Sequence, residues 1–201
     1  RTILVTGGAG FVGSNFVRYW YDNHPEDLIS VLDTLTYAGR MRNIPRRIHK
    51  DNKRFEFFLG SVTSIEMVNS LVQKADVVVH FAAETHVTRS ILESRKFFET
   101  DILGTHTVAN AVLKFMDTVE RFVHISTSEV YGTAVREPMD EDHPLNPCSP
   151  YASAKCGADR LVYSYFLTYG IPAIILRPFN QYGPRQHLEK VVPRFITSAI
   201  N

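Results

Sequence analysis

The stretch that most constrains the fold is a glycine-rich turn near the start of the chain. The sequence Thr6-Gly-Gly-Ala-Gly-Phe-Val-Gly13 follows a short apolar run and opens a helical pattern. Gly7 permits a tight turn, Gly10 allows the backbone to approach a pyrophosphate, and Gly13 lets the helix pack close to the sheet. The N-terminus of such a helix offers free N–H groups to phosphates. The turn therefore predicts a dinucleotide-binding α/β fold.

Short β-branched runs alternate with helical patterns along the rest of the chain. Several runs are apolar at successive positions, as expected for strands that are covered on both faces. The alternation predicts one doubly wound α/β domain of the Rossmann type over residues 1–201, with ligands beyond the carboxyl ends of a parallel sheet. The predicted strands are Thr2–Thr6, Ile29–Asp33, Phe55–Leu59, Val77–Ala82, Arg121–Ser126 and Ala173–Arg177, and the predicted helices are Phe11–Asp22, Ser64–Lys74, Phe97–Phe115 and Tyr151–Tyr169.

An acidic residue, Asp33, ends the second predicted strand, well beyond the glycine turn. A carboxylate there accepts hydrogen bonds from both hydroxyls of a ribose and repels a 2′-phosphate, so NAD is favoured over NADP. The alternative interpretation is that the turn only packs a helix against the sheet and that Asp33 only caps a strand. The sequence of strand, turn, helix and acid favours NAD binding.

The charge balance excludes several classes of partner. The chain has 22 Lys and Arg against 21 Asp and Glu, so its net charge is +1. This charge gives no strong electrostatic attraction to nucleic acid or to a membrane surface. The short basic clusters, Arg40–Arg47 and Arg185–Arg194, indicate solvated loops or local anion contacts. Cys148 and Cys156 do not form a disulfide framework, and no His, Asp and Glu cluster has the spacing of a metal site, so we expect no metal and a reduced, cytoplasmic setting.

A second motif, Tyr151-Ala-Ser-Ala-Lys155, places a phenol and an amine one helical turn apart. Ser149-Pro150 is a helix-start signal, which puts Tyr151 at a helix N-terminus. A free tyrosine has a pKa of about 10, and a nearby ammonium is expected to lower it, so that the phenol can act as a base. The alternative is an exposed Tyr–Lys pair on a surface helix.

The chain resembles the NAD-dependent epimerase/dehydratase family, which are extended short-chain dehydrogenases/reductases acting on nucleotide sugars. The stretches at 33–39 and 81–90 are most similar to those of dTDP-glucose 4,6-dehydratases. The resemblance, together with a helical pattern that reaches Asn201 without a capping signal, predicts a truncated chain that lacks most of a small C-terminal substrate lobe. The matching segments are Thr6–Gly13, Asp33–Gly39, Phe81–Val87 with Arg89-Ser90, Thr127–Gly132 and Arg177–Pro184.

The resemblance implies a dehydration that uses bound NAD. Tyr151 would take the proton from the sugar O4 while hydride leaves C4, with Thr127 hydrogen-bonded to the reacting hydroxyl. Glu129 would remove the C5 proton, water would leave from C6, and hydride would return to C6. A homodimer through the helices at 97–115 and 151–169 is also implied.

Ser128 departs from the dTDP-glucose enzymes, which place an aspartic acid there. Ser-Glu at positions 128 and 129 is similar instead to GDP-mannose 4,6-dehydratases, where the glutamate can serve as base and then as acid, and to UDP-glucuronate decarboxylases. An NDP-sugar 4-epimerase would need only Thr127, Tyr151 and Lys155. From another class, a catalytically silent NAD-sensing regulator stays open.

The resemblance also implies which residues contact each ligand. Ser61 stands where the family usually has an aspartate, so we expect a small loss of cofactor affinity, and we expect His80 to be a hydrogen-bonded core histidine. The residues expected at NAD are Gly7, Gly10, Phe11, Val12, Gly13, Asp33, Leu35, Thr36, Ala38, Gly39, Ser61, Val62, Phe81, Ala82, Ala83, Tyr151 and Lys155. The residues expected at the NDP-sugar are Glu84, Thr85, His86, Thr127, Asn180 and Arg185, and the expected catalytic residues are Thr127, Ser128, Glu129, Tyr151 and Lys155.

Overall fold

A computed structural model describes residues 1–200, and its centre is a six-stranded parallel sheet. The strand order is β3-β2-β1-β4-β5-β6, so the chain winds outwards in both directions from β1. The strands are β1 (Thr2–Thr6), β2 (Leu28–Asp33), β3 (Phe55–Leu59), β4 (Val77–His80), β5 (Arg121–Ile125) and β6 (Ala173–Leu176). The helices are α1 (Phe11–Asn23), α2 (Arg46–His49), α3 (Ile65–Val72), α4 (Val87–Leu92), α5 (Arg95–Phe97), α6 (Gly104–Lys114), α7 (Pro150–Tyr169) and α8 (Val191–Ile200).

The sheet is covered on both faces, which is why β1 is apolar at successive positions. Leu4 faces a cluster that includes Val78 and Phe122 and is closed by α3, α6 and α7. Ile3 and Val5 face the opposite cluster, which is closed by α1 and by the segment around α2. Each fully buried aliphatic or aromatic side chain contributes about 1.5–3 kcal/mol through removal from water.

The structure confirms the predicted α/β sheet and revises several elements. The helix predicted over Phe97–Phe115 is interrupted, because Phe98–Leu103 winds as a π-helix between α5 and α6. The strand predicted over Val77–Ala82 ends at His80, where the backbone turns into the cavity described below. The short helices α2 and α4 and a 3-10 turn at Ser128–Tyr131 were not predicted.

A buried ion pair joins the last strand to the longest helix. Arg177, which follows β6, donates from Nε to Asp159 Oδ2 at 2.8 Å and from Nη2 to Asp159 Oδ1 at 3.0 Å. Asp159 lies on α7 with no exposed side-chain surface, and the hydrogen bonds from Arg177 and Arg160 outweigh its burial and lower its pKa. Arg177 also donates to the Tyr131 hydroxyl at 2.9 Å. The pair therefore fixes the end of β6 against α7.

Within residues 1–200, no helix combines the length and the apolar character that a membrane span requires. The same part of the chain contains no group of three or more His, Cys, Asp or Glu side chains placed to hold a metal ion. Both cysteines are free thiols, with Cys148 exposed and Cys156 partly buried.

Candidate active site

A cavity of about 550 Å³ opens at the carboxyl edge of the sheet. The glycine turn after β1 and the end of β2 line one part of it, and the N-terminal turns of α7 line another. The loops that follow β4, β5 and β6 complete the walls. The cavity lies where ligands bind in doubly wound sheets.

The glycine turn forms a cradle that side chains would fill. Gly7 has a φ of +69°, and a Cβ added there would lie 2.6 Å from the backbone nitrogen of Ala82. A Cβ at Gly13 would overlap the carbonyl oxygen of Gly7. Gly10 is the N-cap of α1, and no acidic side chain occupies the first turn of this helix. The turn therefore presents backbone N–H groups at a positive helix end, which suits a pyrophosphate.

Asp33 ends β2 with its carboxylate at the cavity. Oδ2 accepts the N–H of Ala9 at 2.9 Å, and Oδ1 accepts the N–H of Leu35 at 2.8 Å. Burial raises the pKa of Asp33, and these backbone hydrogen bonds lower it. Since each carboxylate oxygen can accept more than one hydrogen bond, Asp33 keeps acceptor capacity for ribose hydroxyls.

Tyr151 and Lys155 lie on one face of α7 and both line the cavity. The helix begins as predicted, because the Ser149 side chain accepts the N–H of Ala152 at 3.0 Å and Pro150 occupies the first turn. The N–H of Tyr151 donates to Ser90 Oγ at 3.1 Å, which fixes the start of the helix against α4. Lys155 is almost fully buried, and its Nζ donates to the carbonyl oxygen of Ile125 at 2.6 Å.

The protonation of Tyr151 differs from the sequence-based expectation. Burial raises the pKa of Tyr151 above its usual value, hydrogen bonding with Thr127 lowers it, and the charges of Asp101 and Glu129 raise it further. Lys155 does not reverse this effect, because its own burial lowers its pKa and its hydrogen bond goes to a main-chain carbonyl. The prediction that Lys155 brings the Tyr151 pKa below 10 is therefore wrong for the ligand-free chain.

In the segment after β5, the candidate catalytic residues Glu129 and Ser128 have different positions relative to the cavity. Thr127 is the N-cap of the 3-10 turn and accepts the N–H of Glu129 at 3.3 Å. Glu129 lines the cavity together with Thr127. Ser128 donates its N–H to the carbonyl of Pro178 at 3.0 Å and is not among the residues, within 1–200, that line the cavity. The turn thus brings the Glu129 carboxylate to the cavity beside Thr127 and leaves Ser128 outside the lining.

Most of the residues expected at the ligands line this cavity. They are Gly7, Gly10, Phe11, Val12, Gly13, Asp33, Thr36, Ala38, Gly39, Ser61, Val62, Phe81, Ala82, Ala83, Glu84, Thr85, Thr127, Glu129, Tyr151, Lys155 and Asn180. His80 is buried as expected, with Nδ1 2.6 Å from Thr6 Oγ1 and Nε2 3.0 Å from Thr105 Oγ1.

Three expected ligand contacts lie outside the cavity lining formed by residues 1–200, in addition to Ser128. Leu35 has a φ of +53° and contributes its backbone N–H to Asp33. His86 is the N-cap of α4, where its Nδ1 accepts the N–H of Arg89 at 3.3 Å. Arg185 turns away and donates to Asn15 Oδ1 on α1. The assignment of these side chains to the ligands is not supported by their positions.

A wall of the cavity that the sequence did not predict comes from the segment before α8. Glu189 Oε1 accepts the hydroxyl of Tyr37 at 2.9 Å, and Lys190 Nζ donates to the carbonyl of Thr85 at 2.8 Å. The guanidinium of Arg89 stacks over the Tyr37 ring at 3.8 Å from its centroid. Further lining residues that were not predicted include Lys96, Thr100, Ser126, Gln186 and His187. The local signal was the basic cluster at 185–194, which indicated a solvated loop or local anion contacts.

The sheet order, the glycine cradle and the Tyr151–Lys155 pair at one cavity define a protein of the short-chain dehydrogenase/reductase class. More narrowly, the chain belongs to the GDP-mannose 4,6 dehydratase family, whose model matches residues 4–201.

Comparison with individual proteins gives the same relationship. The chain is 48% identical over 199 residues to the low-salt glycan biosynthesis protein Agl12 of Haloferax volcanii, covering 99% of this chain and 63% of that protein. It is 43% identical to a dTDP-glucose 4,6-dehydratase of Mycobacterium tuberculosis, covering 98% and 59%. The crystal structure of DesIV, a dTDP-glucose 4,6-dehydratase from Streptomyces venezuelae with NAD and TYD bound, superposes with a TM-score of 0.92 at 42% identity, covering 100% and 62%. The chain thus spans about three fifths of the length of these relatives.

Proposed function

We propose that the chain is the cofactor-binding domain, over residues 1–201, of an NAD-dependent nucleotide-sugar 4,6-dehydratase. The observation that carries the proposal is one cavity that holds Thr127, Glu129, Tyr151 and Lys155 together with the glycine cradle. The relatives at 40–43% identity that are described as dTDP-glucose 4,6-dehydratases support the reaction type.

The cavity fits NAD on its own geometry. The cradle at Gly7 and Gly13 leaves no room for a Cβ and would receive the pyrophosphate, and the buried carboxylate of Asp33 would accept ribose hydroxyls and repel a 2′-phosphate. Ser61 stands close by, with its hydroxyl 2.8 Å from that of Thr63, so it would supply a weaker contact than an aspartate. Bound NAD would supply the hydride acceptor for the sugar C4 and the hydride source for C6.

Tyr151, Thr127 and Lys155 would handle the proton at the sugar O4. Thr127 would orient the hydroxyl, and Tyr151 would take its proton as C4 is oxidised. Lys155, one helical turn from Tyr151, provides the buried positive charge that a phenolate needs, although the ligand-free chain favours the neutral phenol. When hydride returns to C6, C5 would take up one proton, which balances the proton that Tyr151 took from O4, and C4 remains a ketone.

Glu129 would act at C5 and C6. A ketone at C4 acidifies the C5 proton, and Glu129 is the carboxylate that the 3-10 turn brings to the cavity. Because residue 128 is a serine and lies outside the lining formed by residues 1–200, no second acid stands beside Glu129 in that turn. Glu129 would therefore remove the C5 proton and then deliver it to the C6 hydroxyl, which departs as water.

A panel of NDP-sugars tests the proposal in the full-length protein. A 4,6-dehydratase forms a 4-keto-6-deoxy sugar that absorbs in alkali, an epimerase returns the 4-epimer, and a decarboxylase releases carbon dioxide from UDP-glucuronate. Tyr151→Phe is the matched control and should remove turnover while NAD stays bound. Turnover that survives in Tyr151→Phe contradicts the proposed base, and NAD binding without turnover of any sugar favours a regulator.

The partners of the chain belong to the same proposal. The substrate would be an NDP-sugar, and a homodimer would form through α6 and α7, where Tyr163, Phe166 and Leu167 are exposed along one helix. Two free thiols and the nature of the substrate favour the cytoplasm. Leu167→Glu should shift the sedimentation coefficient from dimer to monomer, with Tyr19→Glu at an exposed position of α1 as its control; a monomeric wild-type protein contradicts the dimer.

A further inference from the structure

Asp101 is a buried carboxyl beside the active site to which the proposed reaction assigns no role. It lies in the π-helix at Phe98–Leu103 and is 1% exposed. Its Oδ1 accepts the N–H of Glu84 at 2.7 Å, whereas Oδ2 is buried with no hydrogen-bond partner within residues 1–200. A buried carboxylate oxygen without a partner is costly, so such a group needs a reason.

Of the two carboxylates whose charge acts on Lys155, Asp159 is paired with arginines and Asp101 is not. Two carboxylates act on the ammonium of Lys155, and these are Asp101 and Asp159. Asp159 is already paired with Arg177 at 2.8 Å and also with Arg160. Lys155 itself is bonded to a neutral carbonyl. Asp101 is therefore the carboxylate that can balance the buried charge of Lys155.

The same carboxyl acts on the phenol. The charge of Asp101 opposes ionisation of Tyr151, as does that of Glu129. The π-helix that carries Asp101 packs against α7, the helix that carries Tyr151 and Lys155. π-helical turns of this kind are frequent at functional sites. The buried charge of Asp101 thus acts on both members of the Tyr151–Lys155 pair.

We propose that Asp101 is a positioning residue of this site, because the charge of its buried carboxyl controls how readily Tyr151 releases its proton and keeps Lys155 protonated. The inference rests on the proposed function for its kinetic readout. The charged and titratable groups that face Asp101 are Lys155 and Tyr151 from α7 and Glu84 from the loop after β4. Glu84 is in turn paired with Lys96 at 3.1 Å.

The Asp101 carboxyl has a pKa near neutral, so its charge changes within the pH range of an activity assay. Burial raises the pKa of Asp101 to about 7, while the charge of Lys155 and the N–H of Glu84 lower it. Since the folded pKa lies above the unfolded value, the stability that Asp101 contributes is full at low pH and is lost as the pH rises through about 7. Above this pH the site carries a carboxylate beside Lys155, and below it a neutral acid.

Asp101→Asn tests the proposal, because an amide oxygen can still accept the N–H of Glu84 while the charge is lost. Without the carboxylate, Tyr151 ionises more easily and Lys155 loses its proton more easily. Both limbs of the pH profile of kcat/KM should therefore move to lower pH, by about one unit. Glu99→Gln removes an exposed carboxylate of the same π-helix and should leave the profile in place. Loss of activity without a shift of either limb overturns the proposal, since it would show a structural role only.

A second measurement does not require turnover. A double-mutant cycle of Asp101→Asn and Lys155→Met is measured by chemical unfolding at about pH 5 and about pH 8.5. Coupling between the two sites should be present at the higher pH and absent at the lower one. If no NDP-sugar is converted, the proposed function fails but this cycle still decides the role of Asp101. Absence of coupling at both pH values overturns it.

Discussion

Lys155 and Ile125 are joined by a 2.6 Å hydrogen bond from the buried ammonium to the main-chain carbonyl at the end of β5. The bond fixes the catalytic face of α7 against the strand that leads into Thr127 and Glu129. Within residues 1–200 the Lys155 ammonium forms no salt bridge with a carboxylate, so its positive charge remains available to a phenolate.

Lys155→Met should separate activity from stability. We expect turnover to fall by about 10²–10⁴-fold, because the phenolate loses its positive neighbour. At about pH 5, where Asp101 is neutral, the free energy of unfolding should stay equal or rise, since a buried charge is replaced by an apolar chain of similar length. Turnover assays and urea unfolding measure the two effects. Lys114→Met, at an exposed position of α6, serves as the control; a large destabilisation by Lys155→Met would show that this lysine is needed for folding.

Two glycines of the turn should respond differently to alanine. At Gly13 a Cβ overlaps the carbonyl of Gly7, so Gly13→Ala should destabilise the fold by about 1–3 kcal/mol. At Gly10 the nearest atom is the same carbonyl at 3.2 Å, so Gly10→Ala should fold and lose affinity for NAD. Thermal unfolding and calorimetric titration with NAD distinguish the two outcomes. Equal effects of both variants on stability would contradict the cradle.

His124 should make the protein sensitive to acid. It is fully buried, both ring nitrogens lack partners within residues 1–200, and burial holds its pKa well below the usual value. Histidine binds a proton more readily in the unfolded chain than in this buried position. The contribution of His124 to stability is therefore present above about pH 6.5 and is lost as the pH falls, by up to about 1.4 kcal/mol per pH unit. His80, with a pKa lowered by burial to about 3, acts in the same direction.

His124→Leu should therefore flatten the decline of stability between about pH 6.5 and pH 4. The measurement is the unfolding free energy across this range. His106→Leu, at an exposed position of α6, is the control and should retain the slope of the wild type. A slope unchanged by His124→Leu would mean that carboxylates alone cause the acid sensitivity.

Tyr37→Phe should weaken sugar binding with little effect on chemistry. The variant removes the 2.9 Å hydrogen bond to Glu189, which holds the segment before α8 at the cavity. A hydrogen bond to a charged group is worth about 1.5–3 kcal/mol, so we expect KM for the sugar to rise by about tenfold or more while kcat is retained. Steady-state kinetics measure this, with the exposed Tyr19→Phe for comparison. A fall in kcat with unchanged KM would place Tyr37 in the chemical step.

The features predicted from the sequence are those encoded by neighbouring residues. The glycine turn, Asp33 at a strand end and Ser149-Pro150 before Tyr151 are local patterns, and each has the position that its pattern indicates. The contact of Tyr37 with Glu189 joins residues 152 positions apart, and no periodicity reports it. The π-helix has the same apolar spacing as an α-helix to within a residue, so the pattern over 97–115 could not show the interruption.

The protonation of Tyr151 could not be predicted for a different reason. The spacing to Lys155 indicates that an ammonium lies near, but it does not indicate how much water remains around either group. Burial is a property of the whole fold, and here it raises the pKa of the phenol and lowers that of the amine.

The ion pair between Arg177 and Asp159 has a mechanical consequence. Asp159 sits one turn of α7 beyond Lys155, and Arg177 stands three positions before Asn180. A tilt of the helix that carries Tyr151 would therefore move the start of the loop that carries Asn180 with it. In the proposed reaction, the two walls of the cavity would then move together, and a sugar held between them would keep its orientation.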